Sequence, residues 1–229
     1  MRSLPTDEAV HAAALRLRAG LIIPGLDRAV AVYFTEPMFA GMTFADLGRN
    51  PAGEITPDDL LAVTLLDITW RPEVVRALLG SRRPELSRML ADLPQDADLW
   101  DATDATLGHV DVLWDHLTAI EGIGPASASK LLARKRPRLC PISDAAVIRA
   151  ASAPGRTWDV LRCLLQDPAA RADVEALRPA PAAGASLLRI LDVAIWITHS
   201  RSAAARHVQD QAGMTPAGQP PAPLAATRS

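Results

Sequence analysis

The pentapeptide Glu121-Gly122-Ile123-Gly124-Pro125 constrains this chain more than any other feature. Leu117 and Ile120 precede it, and Leu131 and Leu132 follow it at helical spacing. That pattern predicts two helices meeting at a turn too tight for side chains, a helix–hairpin–helix over 107–136. Gly122 and Gly124 bring no Cβ and permit positive φ. Ile123 is placed to tuck into the cleft between the helices. Pro125 suits the first position of the second helix, where its missing N–H costs nothing. Ala128 is small where the helices must approach closely.

The rest of the chain reads the same way. Strand-like alternation is weak, and helix signals recur. Thr6 is a cap for a helix ending near Ala19. Thr56-Pro57-Asp58-Asp59 combines a cap, a proline and first-turn acids. Pro72 and Pro84 open short helices, and Leu107, Val110, Leu113, Trp114 and Leu117 share one face of the helix entering the hairpin. Further helices are expected at about 144–152, 157–166, 169–177 and 185–199. The expectation is an all-α multi-helix bundle. Residues 1–55 read as an N-terminal helix plus an irregular segment holding every Phe and Tyr. Residues 56–200 form the helical core, and 201–229 a disordered Pro/Ala-rich tail.

A hairpin of this kind has a chemical consequence. The free N–H groups of its turn and of the second helix's first residues point outward with the positive end of the helix dipole. Gly122, Ile123, Gly124, Ala126 and Ser127 therefore make an anion site, suited to a nucleic-acid phosphate without sequence preference. Ser127, Lys130 and Arg134 lie on one helical face and read as added phosphate contacts. The only two lysines, Lys130 and Lys135, both fall in this segment, although the net charge is −2.

Downstream, Asp144 follows Gly122 by 22 residues, after the Pro137–Pro141 turn. Together with Val147 and Arg149, this segment resembles the helix–hairpin–helix DNA glycosylases over about 105–150. The resemblance implies a fold like the glycosylase core, DNA as partner, and Asp144 at the catalytic position. There the carboxylate would stabilise positive charge on the sugar as a flipped base departs. The strand-cleaving members carry a lysine where this chain has Ala126, so a monofunctional enzyme without Schiff-base chemistry is expected. A plain alternative for Ser143-Asp144 is a helix cap. Leu131-Leu132-Ala133-Arg134-Lys135-Arg136-Pro137-Arg138-Leu139, with Pro141 and Asp144, also resembles an uncharacterised bacterial family of unknown function. That likeness extends to Asp58-Asp59-Leu60 and Leu191–Trp196 and supplies no activity. The alternative function is thus a non-catalytic DNA-binding or helical interaction module.

Cys140 and Cys163 are too few for a disulfide framework or an iron–sulfur cluster. His109 and His116 lie seven apart near Asp111 and Asp115, a weak pattern for metal, so no metal or cofactor is expected. The tryptophans read as core. The N-terminus does not read as a signal peptide, no stretch reads as a membrane span, and a cytoplasmic location is the default.

Overall fold

A computed structural model describes residues 4–214. Among the described residues all regular structure is helical. In chain order the helices are α1 (Asp7–Ala19), α2 (Leu26–Thr35), α3 (Thr43–Asp46), α4 (Pro57–Thr64), α5 (Pro72–Arg76), α6 (Arg83–Ala91), α7 (Asp104–Thr118) and α8 (Pro125–Lys135). Then follow α9 (Ala145–Ala151), α10 (Thr157–Gln166), α11 (Pro168–Glu175), α12 (Leu187–His199) and α13 (Ala203–Gln211). None is long and apolar enough to cross a membrane.

Local chemistry accounts for many of the boundaries. Thr6 accepts from the Ala9 N–H and starts α1. Thr56 and Asp59 form a reciprocal capping box at α4. Thr103, Asp144, Ser186 and Ser202 cap α7, α9, α12 and α13 through their side-chain oxygens. The helix opened by Pro72 continues into a π-helical turn, Ala77–Ser81.

Two hydrophobic cores organise the chain. One gathers α1 and α2 with α9–α13, around Leu17, Leu26, Val30, Leu164, Leu191 and Ile195. The other gathers α3–α8, around Val63, Leu78, Leu86, Leu113, Leu117 and Leu131. The chain thus leaves the first lobe after α2, builds the second, and returns after Cys140.

Two expectations differ from this outcome. The stretch 21–55 contains α2, whose buried Leu26, Ala29, Val30, Tyr33 and Phe34 follow helical spacing. Its N-cap is Gly25 at φ 87°, with no side-chain cap, so the start carries no polar signal. The expected tail from 201 begins instead with α13, which buries Ala205 and Val208, and Ala212 and Met214 are buried just beyond it. Residues 215–229 of that expected tail lie outside the described ones.

Candidate functional site

The hairpin turn joins α7 to α8, with Leu117, Ile120, Ile123, Ala128, Leu131 and Leu132 buried at the seam. Gly122 is at φ 93°, and a Cβ there would meet Val74 Cγ2 at 2.9 Å. Only one of the two glycines needs its freedom: Gly124, at φ −95°, opens onto empty space as the N-cap of α8. Its own N–H is taken by Ser127 Oγ at 3.0 Å. No side chain caps α8, which leaves the Ala126 and Ser127 amides without a side-chain acceptor. Arg71 lies beside the turn, paired with Glu73 and 3.9 Å from Glu121.

The basic stripe of α8 lies elsewhere than expected. Arg134 is 2% exposed. Its Nε sits 3.2 Å from Asp59 Oδ1, and its other nitrogens donate to the carbonyls of Phe44, Ala45 and Leu47. Lys135 Nζ donates to Asp59 Oδ2, Asn50 Oδ1 and the Pro51 carbonyl. Arg136 holds the carbonyls of Leu90, Leu93 and Ala52. The Arg-Lys-Arg run is therefore a clamp that fixes the 44–52 segment and the end of α6 onto α8. Buried carbonyls need donors, and three long cations supply them. Arg134 is corrected from a phosphate contact to part of this clamp, because its donors are spent and water does not reach it. Ser127 is likewise buried, its hydroxyl committed to Gly124.

Lys130 also turns inward. It is 9% exposed, and its Nζ donates to the Leu66 carbonyl at 2.7 Å. It lines a cavity of about 160 Å³ together with Asp144, Asp192, Arg189, Tyr33 and Asp67. This cavity lies where the two lobes meet: Tyr33, Asp192 and Trp196 come from one, Leu66 and Lys130 from the other. Lys130 is thus corrected from a surface contact to a cavity residue.

Asp144 reaches the cavity from the N-cap of α9. Its Oδ1 accepts from the Ala146 and Val147 amides at 2.8 and 3.0 Å. Both of the carboxylate's hydrogen bonds use that one oxygen, so Oδ2 is uncommitted. The cap and the cavity position coexist in one residue.

The surrounding charges shift one another. Burial holds the Lys130 ammonium below the usual lysine range, with Asp144, Asp192 and Asp67 opposing. Burial pushes the Asp192 carboxyl up to about 6; the Asp144 charge adds to the rise, and Arg189 opposes it. Burial works against the Arg189 charge, but Tyr33 and Asp192 outweigh it and raise its pKa. Arg189 donates to Asp192 Oδ2 at 2.5 Å and to the Tyr33 hydroxyl at 2.7 Å. Its guanidinium also lies 5.3 Å from the Tyr33 ring centroid and 5.2 Å from that of Phe44. Asp67, on the 65–67 loop, holds φ 61°, a left-handed conformation uncommon outside glycine.

Asp192, Arg189 and Asp67 are not among the site residues that the sequence points to, whereas Tyr33 is one of several aromatics it offers for stacking on a base. A signal for two of them was present. Arg189 and Asp192 stand three apart inside the apolar run 187–197, where charges are rarely buried unless paired. His116 places Nδ1 2.8 Å from the Val112 carbonyl and Nε2 3.3 Å from Glu85 Oε1.

A family model described as a family of unknown function (DUF6308) matches residues 27–199. That span includes the hairpin, the clamp, Asp144 and Asp192. Comparison with curated proteins and with solved structures gave no match.

Proposed function

The chain belongs to the family of unknown function DUF6308, and for it we propose a DNA-binding, helix–hairpin–helix protein that cleaves N-glycosidic bonds at Asp144. The observation that carries this reading is the cavity beside Asp144. A carboxylate with one oxygen pinned by two amides and the other free borders a space of about 160 Å³ at the lobe boundary. In the proposed reaction a base flips into this space. The C1′–N bond breaks, its electron pair leaves with the base, and Asp144 faces the positive charge developing on the sugar. Water then adds its oxygen to C1′, and the proton it loses balances the one the base gains. Ala126 stands where strand-cleaving glycosylases carry their lysine, and Lys130 Nζ is engaged by the Leu66 carbonyl. The reading therefore assigns hydrolysis without an amine adduct.

Phosphate binding falls to the hairpin backbone at Gly122, Ile123, Gly124, Ala126 and Ser127, with Arg71 beside the turn. The affinity is expected to be modest. Among the described residues five cations and two anions are buried, which leaves 19 of the chain's 24 cations against 24 of its 26 anions. This surplus favours a second reading, a helical interaction module with no nucleic-acid role. Base release from a panel of lesion-bearing duplexes, lost in Asp144→Asn, tests the first. Duplex binding with a salt slope of about two or three phosphates is expected. No binding at low salt selects the second.

A further inference from the structure

Among the five buried cations of the described residues, Lys130 has the fewest acceptors. An ammonium carries three N–H donors, and the protein offers this one, 9% exposed, only the Leu66 carbonyl at 2.7 Å. A buried donor without an acceptor is costly. Asp67, Asp144 and Asp192 act on the Lys130 charge, yet none is in hydrogen-bond contact with it. Leu66 and all three carboxylates border the Asp144 cavity, so Nζ stands at its wall with donors to spare.

Asp67 supplies the complementary group. It is exposed at the same cavity, and its carboxylate has no hydrogen-bond or ion-pair partner among the described residues. Its charge acts on both the Lys130 ammonium and the Tyr33 hydroxyl, which places it near both. Tyr33, Phe39 and Trp196 make an aromatic wall, their ring centroids 5.2, 5.7 and 6.0 Å apart. We infer that Lys130 and Asp67 read the edge of a planar nitrogen heterocycle that presents an acceptor and a donor side by side. The acceptor receives from Lys130 Nζ, the donor gives to Asp67, and the aromatic wall supplies stacking. The inference rests on the reading of this cavity as a base pocket. It leaves Asp144 Oδ2 free to face the sugar. A base blocked at its ring N–H offers Asp67 nothing and is discriminated against.

Two free pyrimidines test this on the full chain. 1-Methyluracil keeps a ring N–H between its carbonyls; in 1,3-dimethyluracil a methyl replaces that hydrogen. Titration calorimetry is expected to show the dimethyl compound binding about tenfold more weakly or worse, as for one lost hydrogen bond to a charged group. Asp67→Gly removes the carboxylate and keeps the backbone, because glycine adopts the φ of 61° held here without strain. In that variant 1-methyluracil should weaken to the level of the dimethyl compound, whose own affinity should not fall. The chain has only two lysines, so isotope-labelled lysine gives two Nζ signals. The one absent from Lys130→Arg should shift with 1-methyluracil. Equal affinity for the two probes, a preference kept in Asp67→Gly, an unmoved Lys130 signal or no binding of 1-methyluracil would overturn the inference. Edge-selective binding without base release would overturn the reaction at Asp144 alone, and base release with equal probe affinities the edge reading alone.

Discussion

Arg134 and Asp59 meet inside the protein, 3.2 Å apart, with side chains 1% and 0% exposed. The contact joins α8 to the start of α4, and Lys135 reaches the other oxygen of the same carboxylate. Replacing Asp59 by Ala strands two buried cations and removes half of a capping box. Urea unfolding of Asp59→Ala is expected to show a loss of roughly 3–5 kcal/mol. Arg134→Ala should destabilise similarly, since three carbonyls lose their donors. By contrast, the salt slope of duplex binding should be unchanged in Arg134→Ala under folded conditions, because this arginine touches no phosphate. A slope reduced by about one would return Arg134 to the interface.

The clamp explains why the basic run was misjudged from sequence. Lys130, Arg134, Lys135 and Arg136 look like a solvated face because cations are seldom buried. Apart from Asp59 and Asn50, their partners are mostly backbone carbonyls between residues 44 and 93, and no periodicity reveals a carbonyl in need of a donor. The capped helices were far more legible. Thr6 and Thr56 cap through amides three residues on, a spacing visible in the sequence. Gly25, which starts α2 with no side chain, is the counter-case. Asp144 was legible by its distance from the hairpin, whereas its cavity depends on Tyr33, Asp67 and Asp192, brought together only by packing of the two lobes.

Asp144 combines a cap with a cavity position, and two substitutions separate these roles. Asparagine keeps an oxygen for the Ala146 and Val147 amides, so Asp144→Asn should unfold within about 0.5 kcal/mol of the parent. Asp144→Ala loses the cap and should cost about 1 kcal/mol. Both should abolish base release. Activity surviving in Asp144→Asn would remove the carboxylate from the chemistry.

Asp192 gives the fold a defined pH dependence. Its pKa is about 6 when folded and 3.8 in the ordinary case. Between those values the folded protein holds the proton and the unfolded chain does not. Stability from this group therefore falls as pH rises from about 4 to 6, then stays level. The two-unit gap corresponds to about 3 kcal/mol. Asp192→Asn cannot titrate, so its stability relative to the parent should improve across that window by this order. Chemical denaturation at pH 4, 5, 6 and 7 measures it, and a flat difference would contradict the assignment.

The two hairpin glycines should respond differently. Gly122 holds φ 93°, and an added Cβ meets Val74 Cγ2 at 2.9 Å. Gly122→Ala is expected to cost about 1–3 kcal/mol from backbone strain. Gly124 is at φ −95° with nothing within 4 Å, so Gly124→Ala should stay within about 1 kcal/mol of the parent. Yet if the amides of Ala126 and Ser127 receive a phosphate, a methyl at Gly124 stands beside its approach. Duplex affinity of Gly124→Ala should drop while its urea midpoint barely moves. An unchanged affinity would place the phosphate, and the DNA, away from this turn.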